Sequence, residues 1–409
     1  MNKKIILYVS YDGITDPVGR SQILPYLLML QNKFHFILIS LEKKHVEKEI
    51  LDIKNLLSTT SIEWHPLRYR QKWPIISTII NLFAGKKYVK KIIKKYHPAL
   101  VHTRSYVATW LVLRQINKKQ IPLLFDMRGF WVDERVDGGL WNLKNPFYRL
   151  VYLFFKRWEQ RFIKRADHLV SLTHNAAQWM NKHWNIPLQK ISVIPCCSTF
   201  DLFNPALYPE AIKRELKKSL GMDENKFILG YTGSTGTWYL LDEMISFFEV
   251  LYKKNNNSVF LLLVNQLDDK KKIEIEEKKL PIIVYEKIPY SQIPAYLSIM
   301  DAIIMFIKPA FSKIASSPIK LGEALAMNKP VIINAGIGDA AYVEEDGFGF
   351  VVKDFTIEEF ERIADLLFSS SLQDIRKKAY AVYDISVGVE KYTQIYIQLL
   401  NRGREPLHQ

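Results

Sequence analysis

The chain has 409 residues, which is long for one hydrophobic core and suits two α/β domains of about 200 residues each. Its composition, 48% hydrophobic and 24% charged, excludes wholesale disorder and a collagen-like chain. The formal net charge of +15 indicates an anionic partner, and nucleic acid, lipid head groups and phosphorylated substrates all remain open on charge alone.

The N-terminal apolar run predicts a buried first strand rather than a secretion signal. Residues 5–10 are too few for a signal peptide, and residues 11–13 end the run without a small-residue cleavage site. No uninterrupted apolar stretch reaches the roughly 18 residues that a membrane-spanning helix needs. The sequence therefore predicts a soluble cytoplasmic protein.

The two cysteines, Cys196 and Cys197, are adjacent, so we expect no disulfide framework, which suits a reducing compartment. No His or further Cys lies nearby at metal-ligand spacing. The sequence predicts no metal site.

Strand-like runs alternate with helical patterns through both halves, as in parallel βαβ units. The predicted strands are 5–10, 36–40, 100–102, 123–126, 168–172 and 191–194 in the first half, and 227–232, 259–264, 282–285, 302–306, 330–334 and 349–352 in the second. Prolines and a short charged helix interrupt the alternation at 195–226, where we expect the interdomain crossing. We predict an N-terminal domain at 1–200, a C-terminal domain at 201–385, and a helix at 386–409 that packs back on the first domain.

The loop after the first strand, residues 10–22, contains Asp12 and Gly19 and leads into an apolar helix. Glycines let backbone amides approach a ligand, and a helix N-terminus favours an anion, so Gly19 is a candidate donor contact and Asp12 a candidate acceptor contact. A plain strand-to-helix turn explains the same residues equally well.

Two basic segments lie in the first half. Residues 86–96 place lysines around an apolar stripe at helical spacing, and residues 148–165 mix aromatic and aliphatic side chains with arginines and lysines. Each is either a surface helix packed on the domain core or a contact with an anionic membrane, and the two readings are compatible.

Charged residues follow two later strands of the first half. His102 ends one predicted strand and Arg104 follows it, and both are candidate acceptor contacts. Arg128 and Glu134 follow the next strand, where open α/β sheets collect ligands, and we expect Arg128 to hold phosphate and Glu134 to accept from acceptor hydroxyls. A structural Arg and Glu pair that bridges loops is the competing explanation.

The second half opens with a strand that turns through three glycines, Gly230, Gly233 and Gly236, directly into a helix. Gly233, Ser234, Thr235 and Gly236 predict a nest of exposed amides suited to a diphosphate, and the absence of a following Lys-Ser or Lys-Thr argues against a P-loop ATPase. Tight packing alone is the alternative explanation for the glycines.

A final constellation lies at 316–332. Pro318 suits a first helical turn, and Lys320 and Glu323 lie three residues apart on one helix face. Together with Ser317 they are candidate donor contacts, Lys320 for phosphate and Glu323 for ribose hydroxyls. A surface ion pair is the alternative.

These segments, in this order, resemble glycosyltransferase family 4, whose members have the GT-B fold of two Rossmann-like α/β domains with parallel sheets facing across a cleft. The most specific match runs from Ser317 to Ile332, which resembles the family's donor-binding helix and the strand entry after it. The loops at 12–24 and 126–134 resemble the subset that acts in bacterial cell-surface polysaccharide synthesis.

The resemblance implies retaining transfer of a sugar from a nucleotide-sugar donor to a glycan or lipid-linked acceptor, as in lipopolysaccharide or capsule synthesis. Glu323 matches the second acidic residue of the family's paired-glutamate motif, which holds the ribose. The first acidic position, eight residues earlier, is Ala315. The family's Arg and Lys phosphate clamp is absent between Tyr231 and Ile245, so Lys320, Arg128 and backbone amides must neutralise the diphosphate.

The resemblance implies that catalysis depends on Arg128, Glu134 and Lys320. No Asp-x-Asp pair occurs in the sequence, so we expect metal-independent transfer with no cofactor beyond the nucleotide sugar. The expected partners are the donor, the acceptor and an anionic membrane surface contacted peripherally, without nucleic acid.

Two other functions remain open. A sugar-nucleotide epimerase of the same fold would use the same donor pocket but needs carboxylates near the sugar. A basic nucleic-acid-binding protein would explain the charge, although RNP, zinc-finger and helix-turn-helix patterns are absent from the sequence.

Overall fold

The structure is a computed structural model that describes residues 3–42, 47–69, 74–116 and 121–402. The chain forms two compact units, of which the first joins Met1–Pro195 with Ile385–Gln409 and the second is Cys196–Asp384. The division falls at the amino end of the predicted crossing, and the C-terminal helix belongs to the first unit.

The first unit contains a parallel sheet of seven described strands in the order β3-β2-β1-β4-β5-β6-β7. The strands are β1 Lys4–Ser10, β2 Phe34–Glu42, β3 Ile62–Arg68, β4 Leu100–Arg104, β5 Leu123–Asp126, β6 His168–Ser171 and β7 Ile191–Val193. The order reverses at β1, so β1 and β4 mark the switch point beside which ligands collect in such sheets.

Strand β3 is one that the sequence analysis did not predict. It pairs with β2 at the edge of the sheet, and Pro66 stands opposite Ser40 in the register. An edge strand tolerates proline and carries polar side chains, so it lacks the continuous apolar run that marks a central strand.

Helices cover the sheet of the first unit, and the last helix of the chain packs against α2 and β4. The helices are α1 Pro17–Gln22, α2 Leu24–Leu30, α3 Glu47–Leu57, α4 Pro74–Tyr96, α5 Ser105–Leu113, α6 Trp131–Asp137, α7 Pro146–Arg165, α8 His174–Trp184 and α17 Ile385–Arg402. A 3-10 helix, Leu188–Lys190, precedes β7.

The second unit contains a parallel sheet of six described strands in the order β10-β9-β8-β11-β12-β13. The strands are β8 Phe227–Gly233, β9 Ser258–Val264, β10 Ile282–Glu286, β11 Ala302–Met305, β12 Val331–Asn334 and β13 Gly349–Val352. The helices are α9 Glu210–Ser219, α10 Leu241–Lys254, α11 Asp269–Glu277, α12 Ile293–Ile299, α13 Ile319–Ala326, α14 Ala341–Glu345, α15 Ile357–Ser369 and α16 Ile375–Tyr383. Short 3-10 helices are Pro205–Leu207, Tyr290–Gln292 and Phe311–Ala315.

Both faces of the second sheet are buried, as strand β9 illustrates. Its odd-numbered apolar residues enter one core and its even-numbered residues enter the other, because successive side chains of a strand point to opposite faces. Such two-sided burial explains why the strands are continuous apolar runs in sequence. The predicted pair of Rossmann-like domains with parallel sheets is confirmed.

Candidate functional site

A buried charged cluster lies at the carboxyl ends of β4 and β5 in the first unit. Arg104 stands beside Asp126 in the register of these two strands, and Ser10 stands on the other side of Arg104. The Arg104 side chain is 4% exposed and that of Asp126 is 1% exposed. Ser10 and Asp126 are more than 100 positions apart in the sequence, yet both lie at the carboxyl ends of these neighbouring strands.

Asp126 is the centre of this cluster. Its Oδ2 atom accepts a hydrogen bond from the Tyr392 hydroxyl at 3.0 Å and lies 3.6 Å from the Arg104 Nη1 atom. Its Oδ1 atom lies 4.0 Å from the Arg128 Nη1 atom. Burial alone would raise the pKa of Asp126, but Arg128, His102 and Arg104 together hold it below its usual value. Asp126 is therefore an anion that compensates the surrounding cations.

His102 lies inside the first unit, 1% exposed, with its Nδ1 atom 2.7 Å from the Tyr396 hydroxyl. Its Nε2 atom is 3.7 Å from Asp126 Oδ2, and its ring packs on Tyr8 at 4.3 Å between centroids. Burial lowers the pKa of His102, although Asp126 opposes the shift. These contacts favour a positioning role for a neutral His102 over direct contact with an acceptor.

The turn after β5 gives Arg128 its direction. Arg128 has φ of 56° and Gly129 has φ of 102°, so two successive residues adopt left-handed conformations before α6 begins at Trp131. Arg128 approaches the carboxylate of Asp126, which lies two residues before it at the end of β5. Glu134 lies half-buried in the first turn of α6.

Asp12 lies on the loop after β1 and reaches the same cluster. Its Oδ2 atom is 3.7 Å from the Arg104 Nε atom. Asp12 and Arg104 are thus connected through ion pairs to Asp126 and Arg128, and the neutral ring of His102 lies beside Asp126. Their contact with an acceptor remains a prediction.

The amides of the loop after β1 bind a carboxylate of the chain itself. Glu42, at the end of β2, accepts from the Ile14 amide at 2.9 Å, the Thr15 amide at 3.1 Å and the Thr15 hydroxyl at 2.6 Å. The amides of Ile14 and Thr15 are therefore occupied by a carboxylate of the chain itself. Glu42 was missed in the sequence because it lies 27 residues or more from the loop it holds.

Gly19 has a packing explanation. A Cβ atom at this position would lie 2.0 Å from the Gly13 carbonyl oxygen and 2.6 Å from the Ile14 Cα atom. Only glycine lets α1 pack this closely on the loop. Close packing alone explains a glycine at this position. Its contact with the donor stays a prediction.

In the second unit, the three glycines around the end of β8 serve different purposes. Gly230 packs under Met300, where a Cβ would lie 2.0 Å from the sulfur atom. Gly233 has φ of 133°, and its missing Cβ leaves room for the Lys320 ammonium. Gly236 faces open space, and Ser234 is exposed beside it.

The loop from Ser234 to Leu240 separates these glycines from α10, which begins at Leu241. The predicted direct passage from glycines into a helix is wrong, and Asp242 and Glu243 occupy the first turn of that helix. These two carboxylates repel an anion at the α10 N-terminus, so the amides of the loop are the more favourable binding site for it. The Thr235 hydroxyl donates to the Gln266 carbonyl oxygen at 3.1 Å.

Lys320, in the first turn of α13, extends to the glycine loop across two aromatic rings. Its Nζ atom lies 3.7 Å from the Tyr239 ring centroid and 4.4 Å from that of Tyr231, and it donates to the Tyr231 hydroxyl at 3.2 Å. Burial lowers the pKa of Lys320 to about 7, and Glu323 opposes this shift. The two rings form a preorganised cation–π site that holds the Lys320 ammonium next to Gly233.

Glu323 lies one turn further along α13 and is 6% exposed. Its Oε1 atom accepts from the Tyr290 hydroxyl at 2.7 Å, and burial raises the pKa of Glu323. Tyr290 lies after β10 and carries no sequence signal, since it is 33 residues from the carboxylate it contacts. It orients one oxygen of Glu323.

Residues of the segment before α13 contact other parts of the second unit. The Ser317 hydroxyl oxygen accepts from the Cys196 amide at 3.1 Å, which gives this donor-binding candidate a structural contact. Ala315 is 1% exposed. Among the described residues, no group of three His, Cys, Asp or Glu side chains has a geometry that could hold a metal ion.

We expect Gly233→Ala to weaken donor binding, because the added Cβ would lie 2.5 Å from the Lys320 Nζ atom and displace it. The loss should be about tenfold in Kd, the cost of one charge-assisted hydrogen bond. Gly236→Ala is the matched control, since its Cβ meets open space. Calorimetric titration with a nucleotide sugar checks both, and equal affinities for the two variants would contradict the role of Gly233.

Two family models match the sequence and together span most of it. The model described as Glycosyltransferase Family 4 matches residues 34–197, and the model described as Glycosyl transferases group 1 matches residues 212–382. The chain is a glycosyltransferase with a family 4 domain followed by a group 1 domain. This confirms the resemblance to glycosyltransferases, and residues 317–332 lie inside the second match.

Solved structures share the fold over nearly the whole chain. A glycosyltransferase from Rickettsia africae is 21% identical with a TM-score of 0.70, covering 98% of this chain and 99% of its own. HepE from Anabaena, in complex with UDP and glucose, is 12% identical with a TM-score of 0.68, covering 97% and 100%. WaaG, a glycosyltransferase involved in lipopolysaccharide biosynthesis, is 16% identical with a TM-score of 0.64, covering 95% and 99%. No curated protein matches the sequence.

The solved structures establish the GT-B architecture of this glycosyltransferase through its two Rossmann-like domains. Within the described ranges, none of its helices combines the length and the apolar character that crossing a membrane requires.

Proposed function

We propose that this glycosyltransferase moves a sugar, with retention of configuration and without a metal ion, from a nucleotide donor to a glycan or lipid-linked acceptor in cell-envelope polysaccharide synthesis. The observation that carries the proposal is the pair on α13, where Lys320 reaches the Gly233 loop and Glu323 lies buried one turn away. The UDP and glucose bound by HepE and the lipopolysaccharide role of WaaG support this substrate class.

The chemistry follows from the charges that develop in transfer. Departure of the nucleoside diphosphate concentrates negative charge on its oxygens, and a preorganised cation with loop amides stabilises that charge. Lys320 is the only Lys or Arg in the sequence segments 231–245 and 316–328, so it carries the role that two cations share elsewhere in the family. Glu323 holds the ribose hydroxyls through the carboxylate oxygen that Tyr290 does not occupy.

In this proposal the acceptor binds to the first unit. Arg104 and Arg128 form a cationic pair around Asp126, and Asp12 and Glu134 lie on the adjoining loops. In this proposal Arg128 stabilises charge on the reacting phosphate and Glu134 accepts from the acceptor hydroxyl. Arg128→Ala and Glu134→Ala should lower kcat more than they change the donor Kd, and the reverse pattern would remove both from catalysis.

Donor binding is expected to depend on pH through Lys320. The pKa of this lysine is about 7 before binding, and a neighbouring diphosphate favours the charged ammonium, so binding takes up a proton. Since the phosphates are already ionised above pH 7, the Kd for a nucleoside diphosphate should rise by up to about tenfold per pH unit above that value.

Calorimetry in buffers of different ionisation enthalpy measures this proton uptake directly. Lys320→Met should remove the slope, whereas Lys253→Met, an exposed lysine on α10, should leave it unchanged. A slope that persists in Lys320→Met would assign the titration to another group.

Helices α4 and α7 support a proposed contact with anionic membrane at the inner face of the plasma membrane. The apolar stripe of α4 packs in the core through Val89, Ile92 and Ile93, which leaves lysines outside. The outer face of α7 exposes four apolar side chains followed by basic ones, a composition suited to lipid head groups. The exposed residues of α7 include Phe147, Arg149, Leu150, Leu153, Phe154, Arg157, Arg161 and Lys164.

Flotation with vesicles containing phosphatidylglycerol tests this contact. Lys90, Lys91 and Lys94 changed together to glutamine should lower the partition coefficient roughly 100-fold, at about 1 kcal/mol per lysine. The control changes Lys253, Lys270 and Lys278 of the second unit, which removes the same charge. Equal losses of vesicle binding in both variants would show that only net charge matters. An unchanged partition coefficient in the α4 variant would show that α4 does not contact the membrane.

The family match favours transfer over the alternative epimerase, because both matching models describe glycosyltransferases. Incubation with labelled donor and a membrane extract separates the two: transfer yields a labelled glycan or lipid, while epimerisation converts the donor without acceptor. Binding of duplex nucleic acid without any binding of sugar nucleotides would favour the second alternative.

A further inference from the structure

A cavity of about 370 Å³ opens on the second unit at the edge of the sheet opposite the Gly233 loop. It lies at the amino ends of the strands, where Asp301 precedes β11 and Lys329 precedes β12. The residues that line it include Lys213, Arg214 and Lys217 from α9, together with Glu224, Asp301 and Lys329. It is therefore separate from the donor site at the carboxyl ends.

The lining of the cavity carries four cationic side chains against three carboxylates, those of Glu210, Glu224 and Asp301. Lys213 donates to Glu210, Lys217 to the Glu224 carbonyl oxygen and Lys329 to the Ser298 carbonyl oxygen, each at 2.8 to 3.0 Å. Each ammonium has three N–H donors, so two remain on each of these lysines among the described contacts. Arg214 adds an exposed guanidinium to the same wall.

The charges that face Lys329 come from α9 and from Asp301, just before β11. Burial is the largest effect and lowers its pKa to about 8, Asp301 and Glu210 raise the pKa, and Lys213 and Lys217 lower it by repulsion. Asp301 is committed elsewhere, because its Oδ2 atom accepts from the Ile228 amide at 2.7 Å. Burial raises the pKa of Asp301, which further limits it as a counter-ion.

We propose that this cavity binds a small phosphorylated anion, either a free phosphate compound or a phosphorylated lipid head group. Phosphate oxygens supply several acceptors in a compact tetrahedral group, which matches the remaining donors of three lysines and one arginine. An anion there also relieves the repulsion among Lys213, Lys217 and Lys329. The proposal does not depend on the transferase function, since it uses none of the donor-site residues.

Calorimetric titration of the full chain with inorganic pyrophosphate tests the site. We expect saturable binding that Lys329→Ala and Lys217→Ala each weaken about tenfold, the loss of one charge-assisted contact. Lys217 lies on the partly exposed helix α9, so its variant keeps the test valid if Lys329→Ala fails to fold. Asp301→Asn retains an oxygen for Ile228 and removes the opposing charge, so it should tighten binding several-fold.

Two controls separate this site from others. Lys253→Ala removes an exposed lysine of α10 and should leave pyrophosphate binding unchanged, and Lys320→Ala should abolish only the fraction bound at the donor site. Flotation with phosphatidic acid vesicles distinguishes the source: a loss in Lys329→Ala assigns a lipid head group, and pyrophosphate binding without such a loss assigns a free phosphate. The proposal is overturned if neither ligand binds in a manner sensitive to Lys329 or Lys217, or if Lys320→Ala removes all pyrophosphate binding.

Discussion

Replacing Glu323 with alanine is expected to weaken binding of the nucleotide-sugar donor by about 1.5–3 kcal/mol, or roughly 10- to 100-fold in Kd, the usual contribution of a hydrogen bond to a charged group. The carboxylate is buried, so ribose hydroxyls that lose it find no water in exchange. At saturating donor kcat should change little, because the ribose does not react.

Glu323→Gln is the matched variant for this prediction. It keeps an oxygen for the Tyr290 hydroxyl and loses the charge, so its Kd should fall between those of the wild type and Glu323→Ala. Titration of the three proteins with the same donor measures the series. Unchanged affinity in both variants would reduce Glu323 to a structural residue of α13.

Asp126→Ala is expected to destabilise the first unit by about 3–5 kcal/mol, the cost of breaking a buried ion pair from one side. Arg104 and Arg128 would lose their shared counter-ion, and the Tyr392 hydroxyl would lose its acceptor. Urea unfolding measures the change. Asp126→Asn preserves shape and one acceptor, so we expect a smaller loss.

The pH dependence gives an independent check on Asp126. Because its folded-state pKa lies below its unfolded value, its contribution is complete above the unfolded pKa of about 4 and disappears as pH falls through the folded value. The stability difference between wild type and Asp126→Asn should therefore shrink in acid below pH ~4. A difference that stays constant over this range would contradict the ion-pair account.

The central strands could be predicted because burial on both faces forces continuous apolar runs, as in β9. Strand β3 could not, since an edge position permits Pro66 and alternating polar residues. Lys320 and Glu323 were accessible from sequence because helical spacing places residues three apart on one face. The partners that hold them, Tyr231, Tyr239 and Tyr290, come from other elements, and no local pattern links them.

The same limit applies in the first unit. His102 and Arg104 were recognised as charged residues at a strand end, but the helix that buries His102 begins almost 300 residues later, at Ile385. Glu42 shows the converse, because a glycine-containing loop that suits an external anion is already bound to an internal one. The sequence of a glycine-containing loop can predict that its amides bind an anion. It does not show whether that anion is a ligand or a side chain of the protein.

The most direct test of the account is thermal unfolding of the full chain with a panel of nucleotide sugars. Ligand that binds the folded state raises the melting temperature by an amount set by its concentration and affinity. We predict that at least one nucleotide sugar raises the melting temperature of the wild type and that Glu323→Ala loses most of this increase. No stabilisation by any member of the panel, or equal stabilisation of Glu323→Ala, would contradict a donor site built on α13.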